Sequence, residues 1–283
     1  MTGKNNERSS SGFQGGMPPW SQGGVHDPPE KGGRAVPFMH WQKRYARWRG
    51  APRSPQGDLP GTLFVVATPI GNLEDITYRA VRILKEADLI ACEDTRQALK
   101  LLTRFEIRKE LISFHEPRER ERLPRLMERL RRGQNIALIS DAGTPAISDP
   151  GFRLVREAIR EGIRVVPIPG PSAVAAALSA GGLPTHRFLF LGFPPPKKDA
   201  ARKRLAAVQD EEGTLVFYLP GRKLLEFCDF VRETLGERTI VVAREMTKIH
   251  EEFVRGKPEE IKKHFENKQI KGEMTLLIDG KTD

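Results

Sequence analysis

The sequence predicts an α/β protein made of two α/β domains with a cleft between them, and three observations lead there. Short apolar runs without polar alternation, such as Ile136-Ala137-Leu138-Ile139, read as strands of a buried parallel sheet. Helical segments with one apolar face separate these runs at a steady rhythm, the pattern of a parallel sheet. Each strand also ends abruptly in a polar loop rich in Gly, Pro, Ser and Asp, and open α/β sheets bind ligands at the carboxyl ends of their strands.

Residues 1–60 are rich in Gly, Pro, Ser and Gln and nearly lack aliphatic side chains. They cannot bury enough surface to offset ordering entropy, so a disordered basic tail is expected. Within it, Phe38 to Gly50 interleaves aromatics with Lys43, Arg44, Arg47 and Arg49, which suits an RNA-touching arm but equally a solvated tail. The first domain is placed at residues 61–187. Its first strand, Leu63 to Ala67, runs into the turn Thr68-Pro69-Ile70-Gly71-Asn72. Glu74 to Thr77 cap a helix reaching Ala87, with Ala80, Ile83, Leu84 and Ala87 on one face. The strand Leu89–Cys92 ends at Glu93-Asp94-Thr95-Arg96, which opens a helix to about Phe105, and the strand Leu111–Phe114 ends at His115-Glu116. A charged helix from Arg120 to Arg131 leads into Ile136–Ile139 and the loop Ser140 to Gly151. There follow a helix from Phe152 to Arg160, a strand at Arg164–Val166, the turn Pro167 to Ser172, and a small-residue helix, Ala173 to Ala180.

The second domain is placed at residues 188–283. It opens on the strand Phe188–Leu191, and Pro194 to Lys198 reads as a hinge or linker. Strands are expected at Thr214–Tyr218, Thr239–Ala243, Glu251–Val254 and Met274–Ile278, with helices at Leu224–Glu233 and Pro258–Glu266. A cleft between two such sheets is a usual home for a small cofactor.

Composition bounds the function. The net charge is +10, which suits a polyanionic partner. Nine Lys/Arg against four Asp/Glu in residues 1–60 supply half of that excess. No apolar run approaches the ~20 residues that cross a bilayer, and the N-terminus lacks a secretory apolar segment. The two cysteines, Cys92 and Cys228, have neither disulfide nor zinc spacing. A cytoplasmic protein without membrane contact or bound metal is expected. The sequence has no GxxxxGK[ST], no GxGxxG after its first strand and no GxSxG. What the strand-end loops offer is amides, carbonyls, small side chains and a few carboxylates, which suits a compact polar ligand held largely by backbone.

Seven motifs in fixed order say more: TPIGNLEDIT (68–77), EDTR (93–96), SFHE (113–116), SDAGTPAISDPG (140–151), VVPIPGPSA (165–173), GLPTHRFLFLGFPP (182–195) and REMTKIHEEFVRG (244–256). Over about residues 61–280 they resemble the ribosomal RNA small-subunit methyltransferase I family, within the tetrapyrrole (corrin/porphyrin) methylase superfamily. The chain has REMT where the family more usually has RELT, a volume-conserving exchange. The resemblance implies the two-domain tetrapyrrole methylase fold with S-adenosylmethionine in the interdomain cleft. It also implies a homodimer and 2′-O-methylation of cytidine 1402 of 16S rRNA in the 30S subunit.

Carried over by position, Ser140, Asp141, Ala142, Gly143, Thr144 and Pro145 would contact the methionine part and ribose of the cofactor, and Ser172 and Ala173 would line the same pocket. Ile70, Leu219 and Ala243 would enclose the adenosine. A base must reach the ribose hydroxyl. The candidates are Glu93, Asp94, His115 and Glu116, with Lys248 also at a strand end. Glu93 and Asp94 serve equally well as helix caps, and His115 as a structural histidine. Arg96, Arg187, Arg244 and Lys248 would hold rRNA phosphates, or be solvated surface. Two other readings stay open, a tetrapyrrole C-methyltransferase and a non-catalytic RNA-binding assembly factor.

Overall fold

In the computed structural model, residues 59–281 are described, so the expected tail and its Phe38–Gly50 segment lie outside the described residues. Two five-stranded sheets organise the chain. Strands β1 (Thr62–Val66), β2 (Leu89–Cys92), β3 (Glu110–Ser113), β4 (Ile136–Ile139) and β5 (Arg164–Ile168) form the first, in the order β3-β2-β4-β1-β5. Every pairing in it is parallel. The four residues of β4, its central strand, are all buried, as an uninterrupted apolar run demands. Their side chains alternate between two cores. Ile136 and Leu138 pack under α3 (Glu116–Arg131) and α4 (Phe152–Arg160), with Leu126, Leu130 and Leu154. Ala137 and Ile139 pack under α1 (Tyr78–Glu86) and α2 (Thr95–Arg104), with Ala80, Leu84 and Leu102.

The second sheet is mixed. Strands β6 (Phe188–Gly192), β7 (Thr214–Pro220), β8 (Ile240–Arg244), β9 (Glu252–Gly256) and β10 (Glu273–Ile278) follow the order β6-β7-β10-β8-β9. Only β6 and β7 pair in parallel; the other pairs are antiparallel. Helices α6 (Lys198–Ala206), α7 (Leu224–Leu235) and α8 (Pro258–Phe265) cover one face. The other face is covered by α5 (Ala173–Gly181), whose Ala177 and Leu178 pack with Val216, Val241 and Leu277. Gly181 lies so near the sheet that a Cβ there would sit 2.4 Å from Leu277 Cδ1. Arg255 on β9 donates from Nε to the Gly181 carbonyl (2.8 Å) and from Nη2 to the Ala180 carbonyl (2.6 Å). These bonds satisfy helix-end carbonyls that α5 itself leaves open. A helix that follows the first sheet in sequence thus packs on the second, and this joins the two.

The elements follow the expected order, with four differences. The chain after Asn72 first makes a 3-10 turn, Leu73–Asp75, and only then does Thr77 cap α1 through its Oγ1, which accepts from Ala80 N at 3.1 Å. Helix α3 begins at Glu116, four residues before the expected start, with a proline in its first turn where a missing N–H is harmless. Strand β5 continues through Pro167 to Ile168; it is an edge strand, the place in a sheet where proline is tolerated. Helix α6 begins at Lys198, the last residue of the expected hinge, and occupies a stretch before Thr214 where no element is expected. Its buried stripe is only Ala201 and Leu205, too little apolar periodicity to stand out among charged residues. Among the described residues, no helix is long and apolar enough to cross a membrane.

Candidate active site

The loops after β1, β4 and β5 are tied to one another. Thr68 and Gly143 exchange backbone hydrogen bonds, N–H to carbonyl, at 2.8 and 3.0 Å. Thr68 Oγ1 donates to the Ser140 carbonyl at 3.2 Å, and Thr144 Oγ1 to the Pro171 carbonyl at 3.2 Å. The loop after β2 joins them, since Asp94 N donates to Asp141 Oδ1 at 3.0 Å. Four strand ends are thereby held as one surface, and the small polar residues that made these loops conspicuous in the sequence form its cross-links.

Strain collects at the same place. Gly143 has φ +80, a conformation that glycine adopts freely. Ala146 and Ser148 in the loop after β4, and Glu245 and Thr247 after β8, also have φ between +51 and +67. Each such residue costs ~1–3 kcal/mol and persists only where its surroundings fix it. Gly71 brings the two regions together: a Cβ there would lie 2.8 Å from Met246 O, Thr247 Oγ1 and Lys248 Cγ.

Between the sheets lies a cleft of about 450 Å³. Ile70, Asp141, Ala142, Gly143, Thr144, Ser172 and Ala173 line it from the first sheet's side. Tyr218, Ala243, Met246 and Lys248 line it from the second. Eight of the eleven expected cofactor residues thus come together. Ser140, 5% exposed, and the buried Pro145 flank the lining stretch without entering it. Leu219 is wholly buried in the opposite core. The alternation of β7 turns Tyr218 toward the cleft instead, with its ring 5.5 Å from that of Phe193.

A second, larger cavity of about 810 Å³ adjoins the first, and Glu93, Asp141, Ser148 and Asp149 line both. Asp94, Arg96, His115 and Glu116 line the larger cavity alone, so the four expected acid/base residues are gathered there. Their states differ. Asp94 caps α2, accepting from Arg96 N at 2.8 Å and gripping the Arg96 guanidinium at 2.6–3.2 Å. Hydrogen bonds from Arg96 hold its carboxyl down at about 2. Burial pushes Glu93 above the usual carboxylate range, helped by the charges of Asp141 and Asp149. Asp141 is raised as well, by burial first, against the Asp94 amide that lowers it. Asp149 is pushed up to about 6 by burial, opposed by a hydrogen bond from Ser140 and reinforced by Asp141 and Glu273.

Asp149, Tyr218 and Met246 were not singled out from sequence. Asp149 lay inside the SDAGTPAISDPG stretch, and only the fold shows that it looks into both cavities. The expected RNA-contacting cations are dispersed and paired. Arg187 bonds Glu211 and Glu212 (both 3.0 Å) and lines neither cavity. Arg244 bonds Glu252 (2.8 Å), and Lys248 bonds Glu245 (3.1 Å). Among the described residues no cluster of His, Cys, Asp or Glu has the arrangement to hold a metal ion.

Residues 62–262 match the family model of the Tetrapyrrole (Corrin/Porphyrin) Methylases. The chain is 50% identical over 225 residues to a Ribosomal RNA small subunit methyltransferase I of Halalkalibacterium halodurans, covering 80% of this chain and 78% of that one. It is 45% identical over 221 residues to the protein of that name from Thermotoga maritima, covering 78% of this chain and 99% of that one. In fold it is similar to the crystal structure of uroporphyrin-III C-methyltransferase from Thermus thermophilus complexed with S-adenosylhomocysteine, with a TM-score of 0.55 at 19% identity over 77% of this chain and 97% of that one. The interlocked strand-end loops, the cleft between two sheets and this kinship place the chain in the ribosomal RNA small subunit methyltransferase I family of the tetrapyrrole methylases.

Proposed function

We propose that the chain transfers a methyl group from S-adenosylmethionine to the ribose 2′-hydroxyl of cytidine 1402 of 16S rRNA, acting on the 30S subunit as a cytoplasmic homodimer. The observation that carries this reading is the identity of 45–50% over about four-fifths of the chain with relatives named for rRNA methylation. The tetrapyrrole methylases of known structure are similar at about 20% identity and speak for the fold alone. Residues 61–187 and 188–283 are then two lobes that share the cleft.

The lining fits the cofactor. Residues 141–144 line the cleft, and Gly143 among them, left-handed and without a Cβ, keeps the wall thin. The carboxylates of Glu93, Asp141 and Asp149, all raised by burial, form an electron-rich wall that gains from a cation beside it. Tyr218 and Phe193 offer an aromatic pair for the adenine, next to Ile70 and Ala243. Ser172, whose Oγ caps α5, and Ala173 close the floor. Leu219 acts from behind, holding β7 in register against β10, and Ser140 and Pro145 shape the loop they flank.

The bound cofactor supplies a methyl group already activated on a sulfonium, so the hard chemistry is its own. The chain aligns the acceptor hydroxyl, removes its proton and excludes water. The proton acceptor belongs on the wall common to both cavities. Of the four residues expected for this role, Glu93 fits best, because Asp94 is held ionised by Arg96 and is therefore a weak base. Asp149 joins Glu93 as an acceptor, and His115 and Glu116 face the substrate side. Exposed ion pairs of arginine or lysine are worth ~0–1 kcal/mol, so phosphates can displace the carboxylates from Arg96 and Lys248, whereas Arg244 is part-buried against Glu252 and would need that pair to open first.

The test is label transfer from methyl-tritiated S-adenosylmethionine to 30S subunits, naked rRNA and uroporphyrinogen in parallel. Label on 30S subunits is expected. Label on the tetrapyrrole alone would replace this reading with C-methylation, and calorimetry showing no affinity for S-adenosylmethionine would replace it with a non-catalytic role.

A further inference from the structure

The larger cavity contains a group that neither packing nor the methyl donor explains. Phe152, the first residue of α4, lines it and is 61% exposed. The same helix buries Leu154 and Ala158 completely, so the fold has no need of Phe152. Its position is nonetheless fixed. Gly151, just before it, has φ +130 and would drive a Cβ to 2.7 Å from Leu138 Cδ2. Gly151 N donates to Glu119 Oε1 at 3.2 Å, and the buried Glu119 also holds Arg153 at 3.1 Å. The guanidinium of Arg156 stands 5.3 Å from the centre of the Phe152 ring, a stacking arrangement that rigidifies an aromatic surface.

The charge of the cavity says what can enter. Glu93, Asp94, Glu116, Glu119, Asp141 and Asp149 line it against two arginines, Arg96 and Arg153, both bound to carboxylates. A run of phosphodiesters inside would face like charge at close range, so only a single-nucleoside portion can enter, with its flanking phosphates at the rim beside Arg96, whose side chain is 86% exposed. Aromatic side chains receive such a portion by stacking on an unpaired base.

Resting on the proposed rRNA activity, we infer that this cavity receives a single extruded nucleoside, its base stacked on Phe152 and its ribose delivered to the wall shared with the cofactor cleft. The chemical class is one unpaired nucleoside within an RNA chain, not a duplex and not a polycarboxylate such as a tetrapyrrole, which the acidic lining repels.

The test uses the full chain with 30S subunits as acceptor and compares Phe152→Ala, Phe152→Leu and Phe152→Trp. Loss of one stacking partner weakens binding ~10-fold or more. Phe152→Ala and Phe152→Leu are therefore expected to raise KM for 30S subunits by about that factor. Phe152→Trp is expected to restore it, and the Kd for S-adenosylmethionine should not move in any of the three. A purely apolar packing role would be rescued by Leu, so a normal KM for Phe152→Leu overturns the inference. So does a KM within twofold of wild type for Phe152→Ala. A loss that follows dissociation of the protein into smaller species, measured by sedimentation, also overturns it and assigns Phe152 to an interface between copies. Wild-type protein that labels no rRNA is a different failure, because it overturns the parent reading.

Discussion

Two aspartates a few residues apart are both raised by burial but meet different partners. Asp141 keeps an exposed edge and accepts the Asp94 amide at 3.0 Å, so it holds the β2 and β4 loops together while lining the cleft. A charged hydrogen bond of this kind contributes ~1.5–3 kcal/mol. Asp141→Ala is expected to weaken S-adenosylmethionine binding at least ~10-fold by calorimetry, with an unchanged far-UV spectrum; unaltered affinity would remove Asp141 from the cofactor site. Asp149 has its carboxyl raised from 3.8 to about 6 by burial. Its ionised form is therefore favoured in the unfolded chain. The penalty is absent below pH ~4, grows as pH rises between the two values and is complete above pH ~6. Asp149→Asn should therefore raise Tm at pH 7–8 and lose that gain toward pH 4, while methyl transfer falls. A variant that is no more stable at pH 8 than at pH 4, relative to wild type, would contradict the buried, raised carboxyl.

At the level of elements, the site is a junction of loops, and Gly71 is where its halves touch. A Cβ at residue 71 meets backbone at 2.8 Å, the carbonyl of Met246, and backbone does not swing aside as a side-chain tip does. Overpacking of this kind costs ~1–3 kcal/mol. Gly71→Ala is expected to lower both stability and cofactor affinity. Gly162→Ala, at φ +70 with nothing within 4 Å, should cost only the ~1–2 kcal/mol of a left-handed residue and leave affinity unchanged. Denaturation with and without S-adenosylmethionine separates the two; equal loss of affinity in both variants would deny Gly71 its place at the junction. Strands such as β4, β7 and β8 were readable from sequence, because residues buried on both faces leave continuous apolar runs. The cross-linked loops of the cleft were readable too, since tying strand ends together takes the short polar residues seen at Ser140 to Thr144. Helix α6 was not, as it buries only Ala201 and Leu205. That Tyr218 and not its neighbour Leu219 turns its side chain to the cleft was not legible, because the side a strand presents depends on register against β10, which no local pattern fixes.

Across the whole molecule, the charge distribution separates two kinds of binding. The chain carries +10 overall, yet six carboxylates against two arginines line the larger cavity. Long-range attraction to rRNA thus does not come from this cavity, and half of the net positive charge belongs to residues 1–60. Affinity for 30S subunits is expected to fall steeply between 50 and 200 mM salt, as released counterions require, while S-adenosylmethionine affinity changes little. Equal salt dependence for both would argue against that separation. Methylation at a ribose oxygen is tested by following the methyl group to its atom. 30S subunits lacking the modification are treated with the protein and S-adenosylmethionine, and their 16S rRNA is digested and sequenced by mass spectrometry. One added methyl at cytidine 1402 is expected, and it makes the adjoining phosphodiester resistant to alkali, as a blocked 2′-hydroxyl must. A methyl on the base, at another nucleotide, or on no RNA at all would contradict it.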